Sequence, residues 1–542
     1  MIDAKTQEPD AEDPMGKIAR EDFGIPYVFP WQRLVMANIV DAVEAACATT
    51  ETEIEDDVTR DEDGALRGRQ IVLLPTGAGK SLCFQAPALI LPGPTLVIYP
   101  LLALMSDQTR RMAERGIAPA IFRGGQDREE RERQLARLEG RDGLPPAKLV
   151  IANPEVLCAN GDGDTGILAR IAAMGVSHLA VDEAHCVADW GDSFRPSYLE
   201  LGKIIDRLSP PAVTAFTATA SPPVLERVSE VLFGGRAHVV RGASDRPNIS
   251  YSVRRCVPKE PALLLEAAKR KRPLVVFCAT RGGTERSAIL LGSTFGMDKV
   301  RFYHAGLTRE EKTAVEGWFH GNGDAILCAT CAWGMGVDKK DVRTVIHRDA
   351  PPSVEAYAQE AGRAGRDGER AEAVLIWGPD DARRLTRLPD SQRSRAMALV
   401  ELADGTRCRR EVILEALGEP EGRSGDGERV ACAGCDVCDG IATKGTGDED
   451  LVLDYVDANR RCFERDEIAN ALCALGNEDS RERFGFVAWK RSDFTMIMGE
   501  LERRNRIREI GYWPLKGKIT VTSSSFSRAL SARLPLLFQK SP

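Results

Sequence analysis

The sequence predicts an α/β protein with two tandem units of parallel sheet, followed by a helical module that carries cysteines and a last domain of helices and a hairpin. Short apolar runs alternate with helical patterns between about residues 70 and 240. The alternation restarts at Leu274 and stops after Ile376. Uninterrupted apolar runs are typical of parallel strands that helices cover on both faces. At 542 residues, the chain is long enough for three or four domains.

Strands are predicted at five runs of the first unit and four of the second. The first five are IVLLP, TLVIYP, KLVIAN, HLAVDEAH and AVTAFTATA, and the second four are LVVFCAT, VRFYHAG, AILCAT and VRTVIH. Turn residues and then a helical pattern follow each run. From about Asp448 the chain is predicted to form helices and then a β-hairpin, with residues 511–517 at its tip.

The charge is unevenly distributed along the chain. Residues 1–66 hold 17 Asp/Glu and 5 Lys/Arg, a local charge of −12 that leaves +4 on the rest of a chain of net charge −8. We expect an acidic tail (1–22) and an acidic insertion (about 48–67) to be solvated. The mildly basic remainder can bind a phosphate backbone where its Lys and Arg cluster on one face.

One uncharged run, residues 86–105, has a length that could span a bilayer. Four turn residues divide it: Pro92, Gly93, Pro94 and Pro100. We therefore expect a buried α/β segment and no membrane partner. No secretory signal is predicted, and we expect the protein in the cytoplasm, with the nucleoid if its source is prokaryotic.

A phosphate-binding loop for ATP is predicted where strand IVLLP runs into PTGAGKS and a helix. Glycine-bearing loops that lead into a helix N-terminus direct backbone N–H groups at anions. Lys80 suits the β- and γ-phosphates, and Ser81 suits Mg²⁺. Pro75 stands where the strict motif has its first glycine. The predicted nucleotide-binding residues of the loop are Thr76, Gly77, Gly79, Lys80 and Ser81.

Acidic and basic side chains elsewhere are predicted to complete the ATP site. Asp182 and Glu183 follow the buried strand HLAV. Asp182 suits Mg²⁺, and Glu183 suits the polarisation of an attacking water. Gln359, Arg363 and Arg366 are predicted on one helix, where the two arginines lie one turn apart and face one site. Guanidinium groups suit the charge that develops on a γ-phosphate.

These motifs resemble superfamily 2 helicases, and specifically the RecQ family. The segment DEAHCVADWGDSFRPSY resembles the aromatic-rich loop that couples DNA contact to ATP hydrolysis in that family. Further matches are FTATAS, SDRPNI, YHAGL, WGMGVDKKDVR and QEAGRAGRDG. The resemblance implies RecA-like domains at 23–245 and 246–380, a zinc-binding module at 381–445 and a winged-helix domain at 446–542.

The resemblance also implies an activity. It implies an ATP-dependent DNA helicase that moves 3′→5′ in repair and recombination, with ATP and Mg²⁺ used between the two RecA-like domains. The residues that it assigns to DNA contact are Trp190, Phe194, Arg195 and Tyr198. Gln32 would contact the adenine edge. Ile25 and Phe29 replace the family's usual aromatic residue and arginine, which leaves Tyr27 or Phe29 to stack on the base.

Four of the 14 cysteines form a candidate metal site. Three stand at two-residue spacings and one precedes a helix upstream: Cys432, Cys435, Cys438 and Cys408. Four thiolates suit a structural Zn²⁺, with an iron–sulfur cluster as the chemical alternative. The resemblance favours zinc. Cys328 and Cys331 form another C-x-x-C, which we interpret as core or turn cysteines.

Aromatic residues fall at the predicted tip of the C-terminal hairpin. Tyr512 and Trp513 stand there, and Lys516 and Lys518 are predicted to meet phosphates. Trp513 is predicted to stack on the end of a duplex as a wedge; the alternative is packing onto the domain core. The domain is predicted as a duplex-binding winged helix, with a purely packing domain as the alternative.

The expected partners are single-stranded and forked DNA and a single-strand-binding protein, and the chain is expected to be monomeric. Three rival functions stay open: an RNA helicase of the DEAH type, a DNA translocase that remodels without separating strands, and a DNA-binding scaffold with an inactive motor. The aromatic-rich loop and the cysteine module argue against the RNA helicase. The intact phosphate loop, acids and arginines argue against the scaffold.

Overall fold

The computed structural model describes residues 14–48, 64–74, 78–158, 166–190, 196–242, 245–334, 339–419, 432–443 and 446–522. Four predicted site residues lie outside these ranges: Thr76, Gly77, Phe194 and Arg195. Most of the acidic insertion also lies outside them. The chain divides into two compact units, Met1–Asp245 and Arg246–Pro542.

The first unit contains a seven-stranded parallel sheet. Its strands are β1 (Arg69–Leu73), β2 (Thr95–Ile98), β3 (Ala120–Phe122), β4 (Leu149–Ala152), β5 (His178–Val181), β6 (Ala212–Thr217) and β7 (His238–Arg241). They lie in the order β3-β4-β2-β5-β6-β1-β7. The five predicted strands are confirmed. The sequence pattern did not indicate β3 and β7, because both are short edge strands and β7 is largely exposed.

Helices cover both faces of this sheet, and strand residues alternate between two cores. Ile71 and Leu73 belong to one core, and Val72 and Leu74 belong to the other. The described helices are α1 (Pro14–Glu21), α2 (Pro30–Ala48), α3 (Leu82–Ile90), α4 (Leu102–Ala113), α5 (Arg128–Glu139), α6 (Pro154–Cys158), α7 (Ile167–Ala173), α8 (Cys186–Trp190), α9 (Leu201–Leu208) and α10 (Pro222–Phe233). None of the described helices is long and apolar enough to cross a membrane.

Part of the predicted acidic tail is folded. Helix α1 packs Met15, Ile18 and Ala19 against the core that α2 and α3 share. The prediction of a solvated tail is therefore wrong for residues 14–21. Apolar side chains at helical spacing can bury one face of a segment whose overall composition is acidic. Residues 1–13 lie outside the described ranges.

The second unit contains a six-stranded parallel sheet. Its strands are β8 (Ile249–Arg255), β9 (Leu274–Phe277), β10 (Val300–Tyr303), β11 (Ile326–Ala329), β12 (Thr344–His347) and β13 (Ala371–Trp377), in the order β10-β11-β9-β12-β13-β8. The four predicted strands are confirmed, and β8 and β13 are additional. Strand β8 escaped prediction because its sequence, ISYSVRR, is polar and basic, as suits a half-exposed edge strand.

The rest of the second unit is mainly helical. Its helices are α11 (Lys259–Lys269), α12 (Arg281–Phe295), α13 (Arg309–Gly321), α14 (Val354–Ala361), α15 (Pro379–Thr386), α16 (Asp390–Asp404), α17 (Arg409–Ala416), α18 (Gly447–Ala458), α19 (Arg465–Phe484) and α20 (Arg491–Arg503). Strands β14 (Ile507–Glu509) and β15 (Ile519–Val521) form an antiparallel hairpin. Helices α18–α20 and this hairpin share one hydrophobic core. The predicted helices and hairpin of the last domain are therefore present.

Candidate nucleotide, zinc and DNA sites

Lys80 and Glu183 lie together beside the carboxyl ends of β1 and β5. The Nζ atom of Lys80 is 3.9 Å from Oε1 of Glu183, and both side chains are largely buried. Among the described residues, Lys80 Nζ makes no hydrogen bond. Ser81 precedes α3 without capping it through its hydroxyl. A buried ammonium with unused donors, next to a helix N-terminus, fits an anionic phosphate.

Asp182 and Glu183 occupy a constrained turn directly after β5. Glu183 has a φ of +50°, in the left-handed region, which costs a non-glycine residue about 1–3 kcal/mol. Its N–H donates to Oδ1 of Asp182 at 3.0 Å. Burial and the neighbouring Glu183 carboxylate raise the pKa of Asp182, and Lys80 opposes this effect. The buried Asp182 carboxyl group is therefore harder to ionise than an exposed one. Coordination of Mg²⁺ would stabilise its charged form.

His185 links this acidic turn to the neighbouring strand. Its Nδ1 atom lies 3.0 Å from Oγ1 of Thr217, the last residue of β6. The Thr217 hydroxyl in turn donates to the carbonyl oxygen of Thr219 at 3.1 Å. In the sequence, His185 belongs to the matched segment DEAHCVADWGDSFRPSY, and Thr217 and Thr219 belong to FTATAS. The contacts show that these residues connect the acidic turn to the segment after β6.

Gln32 is buried against the phosphate loop. Its Nε2 atom donates to the carbonyl oxygens of Ala78 and Gly79, both at 3.3 Å, and its Oε1 accepts the N–H of Phe29 at 2.9 Å. The adenine contact assigned to Gln32 stays a prediction. The Phe29 ring stacks on Trp31, with centroids 5.8 Å apart, and remains half exposed. Trp31 was not among the predicted aromatic candidates.

The structure corrects the placement of the two arginines. Gln359 lies on α14 as predicted, but this helix ends at Ala361, so Arg363 and Arg366 lie in the turns that follow. A helix that runs on through Arg366 is also excluded, because Gly365 adopts a φ of +56°, a left-handed conformation. Arg363 is buried, with its guanidinium 5.8 Å from the centre of the Trp333 ring.

Arg363 and Arg366 lie in residues 362–366, which we call the arginine loop. Two side chains from the start of the second unit bind this loop. Arg246 donates to the carbonyl oxygens of Gly362, Ala364 and Gly365 at 2.8, 3.0 and 3.0 Å. Asn248 donates to the Gly365 carbonyl oxygen at 2.8 Å. No local sequence pattern signals either role, although both residues belong to the matched motif SDRPNI.

Replacing Gly365 by alanine is expected to lower the free energy of unfolding by about 1–3 kcal/mol and to reduce ATP hydrolysis. A Cβ there would lie 2.5 Å from Nδ2 of Asn248 and 2.6 Å from the carbonyl oxygen of Glu369. Gly368→Ala is the matched control, since Gly368 has a φ of +85° but a Cβ added to it would meet no atom within 4 Å. Thermal melts and ATPase rates of the two variants check this, and equal effects would contradict it.

The four predicted cysteine ligands converge in the second unit. The Sγ atoms of Cys408, Cys432, Cys435 and Cys438 all lie within 4.8 Å of one another. Tetrahedral Zn²⁺ with Zn–S bonds of about 2.3 Å requires sulfur atoms about 3.8 Å apart. The Sγ atoms of Cys435 and Cys408 are 3.9 Å apart. Among the described residues this is the one such cluster of His, Cys, Asp and Glu side chains.

Hydrogen bonds join the cysteine loop to edge strand β8. Arg409 donates through Nε to Oδ1 of Asp436 at 2.8 Å, and Oδ2 of Asp436 accepts the N–H of Val253 at 2.9 Å. Both charged side chains are buried. The cluster therefore has an ordered surrounding shell, as structural zinc sites require. Cys328 is buried and Cys331 lies in a 3₁₀ turn (Cys331–Gly334), as predicted for core and turn cysteines.

One residue assigned to the aromatic-rich loop is a core residue. Tyr198 lies in a 3₁₀ turn (Pro196–Tyr198) and is buried in the hydrophobic core of the first unit. A ring in that position cannot stack on a base, so the assignment of Tyr198 to DNA contact is wrong. Trp190 is the last residue of α8. Phe194 and Arg195 lie outside the described residues, and with Trp190 they stay predictions.

The tip of the C-terminal hairpin presents its aromatic residues to solvent. Trp513 is 87% exposed and Tyr512 is 60% exposed, which contradicts the core-packing alternative for Trp513. Lys516 is also exposed. Lys518 donates to Oε2 of Glu467 at 3.3 Å in an exposed ion pair, and its phosphate contact stays a prediction.

Three family matches cover most of the chain. Residues 57–228 match the DEAD/DEAH box helicase family, residues 259–368 match the helicase conserved C-terminal domain, and residues 379–439 match the RecQ zinc-binding family. The first match contains β1 to β6, the second contains β9 to β12, and the third contains the four clustered cysteines. The four-cysteine cluster and the RecQ zinc-binding match together identify Zn²⁺ as the metal of this module.

Solved structures of helicases share the fold at low sequence identity. The DUF1998 helicase MrfA bound to DNA has a TM-score of 0.52 at 17% identity, with 96% of this chain and 60% of that chain covered. The DEAD-box helicase Mss116 bound to ssRNA and UDP-BeF has a TM-score of 0.52 at 16% identity, with coverage of 90% and 89%. Together with the two parallel sheets, these similarities confirm two RecA-like domains.

Two similar bacterial proteins carry the same name. The ATP-dependent DNA helicase RecQ of Pasteurella multocida is 35% identical over 387 residues, which cover 69% of this chain and 58% of that protein. The ATP-dependent DNA helicase RecQ of Haemophilus influenzae is 32% identical over 434 residues, 78% of this chain and 67% of that protein. The chain thus spans three fifths to two thirds of the length of these relatives. The chain belongs to the RecQ family of helicases.

Proposed function

We propose that this chain is an ATP-dependent DNA helicase that moves 3′→5′ along single-stranded DNA and separates duplexes in DNA repair or recombination. The observation that carries the proposal is the buried Lys80 ammonium, which lies 3.9 Å from Glu183 and has no hydrogen-bond partner among the described residues. Family membership supports the choice of DNA, since the relatives are named DNA helicases.

Residues of each unit have a proposed role in hydrolysis. Lys80 binds the phosphates, and Ser81 and Asp182 are the ligands of Mg²⁺. Glu183 orients and polarises the attacking water from its turn directly after β5. Arg363 and Arg366 stabilise the charge that develops on the transferred phosphoryl group. Bound Mg²⁺ supplies further neutralisation of phosphate charge.

The proposed DNA contacts fall at two places. Trp190, Phe194 and Arg195 couple binding of single strands to ATP hydrolysis in the first unit, since aromatic side chains stack on any base. Trp513, exposed at the hairpin tip of a proposed winged-helix domain, stacks on the terminal base pair. The proposed partners are single-stranded and forked DNA and a single-strand-binding protein, with the helicase acting as a monomer.

Comparing DNA with RNA as activators of ATP hydrolysis tests the nucleic-acid class. Single-stranded DNA and RNA of the same length and base sequence are titrated into the protein at fixed ATP and salt, because phosphate contacts make affinity salt-dependent. We expect DNA to raise the ATPase rate by at least about tenfold more than RNA. Equal stimulation by both polymers would contradict the proposal and favour an RNA helicase.

Trp513→Ala is expected to lower the rate of duplex unwinding about tenfold or more, because loss of base stacking costs about 1–3 kcal/mol. ATPase on single-stranded DNA and the melting temperature should stay close to wild type, since the side chain is exposed. Trp489→Ala provides the contrast, because Trp489 packs on Phe494 at a centroid distance of 5.0 Å and its loss should lower the melting temperature. Unchanged unwinding by Trp513→Ala would refute the wedge.

A further inference from the structure

Arg410 connects the zinc-binding module to the start of the second unit. It lies on α17, two residues after the cysteine ligand Cys408, and is 3% exposed. Its Nη1 and Nη2 atoms donate to the backbone carbonyl oxygens of Arg246 at 3.0 Å and Ile249 at 2.6 Å. Its guanidinium also lies 5.2 Å from the centre of the Tyr251 ring. A buried guanidinium with two strong acceptors fixes the position of both.

The two acceptors belong to one turn. The N–H of Ile249 donates to the carbonyl oxygen of Arg246 at 3.0 Å, which closes the turn just before β8. Arg410 therefore binds this turn at both of its ends. The side chain of Arg246 leaves the same turn and donates to three carbonyl oxygens of the arginine loop.

The position of the arginine loop depends on this turn. Helix α14 ends at Ala361, and the carbonyl oxygens of Gly362, Ala364 and Gly365 are held by Arg246 rather than by a continuing helix. Arg363 and Arg366 lie within or directly beside these three anchored peptides. Catalytic side chains must be placed to within about 0.5 Å, because a shift of about 1 Å can cost a hundredfold in rate.

We propose that Arg410 is a positioning residue for ATP hydrolysis. The zinc-binding module holds the Arg246 turn through Arg410, and the turn holds the loop that carries Arg363 and Arg366. This inference rests on the proposed function, because it takes the two arginines as the groups that stabilise the transferred phosphoryl group. Cys408, which would hold the zinc ion, is the residue directly before α17, the helix that carries Arg410. The module therefore influences the chemistry of the motor as well as its own folding.

Two adjacent buried arginines provide a matched pair of variants. Arg410→Met removes the donors to the turn. Arg409→Met removes an equally buried guanidinium, since Arg409 is 2% exposed. Arg409 contacts Asp436, Leu402 and Gly405 rather than the turn, so this variant loses the ion pair with Asp436 and keeps the donors to the turn. Both variants are compared with wild type in zinc content, melting temperature, steady-state ATPase at saturating single-stranded DNA, and amide hydrogen exchange of peptides that cover residues 362–371.

We expect Arg410→Met to keep its zinc. Its kcat should fall about tenfold, with the KM for ATP within about twofold of wild type. Its amide hydrogens should exchange faster at residues 362–371 but not at α3. Arg409→Met should melt at a lower temperature with kcat and loop exchange unchanged. Unaltered exchange of the loop in Arg410→Met, or the same loss of kcat in both variants, would overturn the proposal.

A second substitution covers the case in which Arg410→Met does not fold. Arg410→Lys keeps the charge but ends in one nitrogen, which cannot bridge both carbonyl oxygens as the guanidinium fork does. It should loosen residues 362–371 and lower kcat by a smaller factor; wild-type exchange and kcat would count against the proposal. Arg363→Ala tests the proposed function separately. Unchanged kcat in that variant would refute the role of this arginine in hydrolysis, whereas loop exchange alone decides whether Arg410 holds the loop.

Discussion

Replacing Lys80 by alanine is expected to lower DNA-stimulated ATP turnover by about 10²–10³-fold or more, because it removes the buried positive charge at the phosphates. Glu183→Gln should lower turnover to a similar extent by removing the group that polarises water. Glu183→Gln should still bind ATP, since the phosphate loop is intact. Release of phosphate and binding of a fluorescent ATP analogue measure the two properties.

Lys148→Ala is the control for the loss of a lysine from the first unit. Lys148 stands just before β4, at the amino end of the parallel strands, whereas the phosphate loop follows the carboxyl end of β1. Its side chain donates to the carbonyl oxygen of Leu91 at 2.6 Å. Its turnover should equal that of wild type. Turnover within about threefold of wild type in Lys80→Ala or Glu183→Gln would contradict the assigned site.

Cys435→Ser is expected to release the metal and to lower the free energy of unfolding of the second unit by more than about 4 kcal/mol. The Cys435 Sγ is buried, lies 3.9 Å from Cys408 Sγ, and accepts the N–H of Cys438 at 3.3 Å. Binding of zinc by four thiolates contributes directly to folding, so its loss removes that free energy. Elemental analysis and thermal melts measure both effects.

Cys462→Ser is the matched control, because Cys462 is an exposed cysteine of the same unit outside the cluster. It should keep one zinc ion per chain and the wild-type melting temperature. Wild-type protein that contains iron in place of zinc, or a Cys435→Ser variant that retains its metal, would contradict the zinc assignment.

Most of the regular architecture follows from local sequence patterns. Buried strands such as β2 and β5 are uninterrupted apolar runs. Residues 78–81 come a few positions after β1 and residues 182–183 come directly after β5, so parallel pairing places both at the carboxyl ends of the strands. The cysteine spacing predicted the cluster because three of its ligands lie within seven residues of one another.

Long-range contacts explain what the sequence did not reveal. The bonds from Arg246 to the arginine loop join residues 116–119 positions apart, and no local pattern signals them. Gly365 has a left-handed backbone, and its carbonyl oxygen accepts a hydrogen bond at 2.8 Å from Nδ2 of Asn248, 117 positions away in the chain. Tyr198 looks like a functional aromatic residue in sequence, but the core around it decides its burial.

Strand separation on tailed duplexes tests the central claim most directly. Wild-type protein and Glu183→Gln are mixed with ATP, Mg²⁺ and duplexes that carry a 3′ tail, a 5′ tail or no tail, and the release of a labelled strand is followed. We predict ATP-dependent unwinding of the 3′-tailed duplex by wild type, little on the 5′-tailed or blunt duplex, and none by Glu183→Gln. DNA-stimulated ATP hydrolysis without release of any strand would contradict the account and identify a translocase instead.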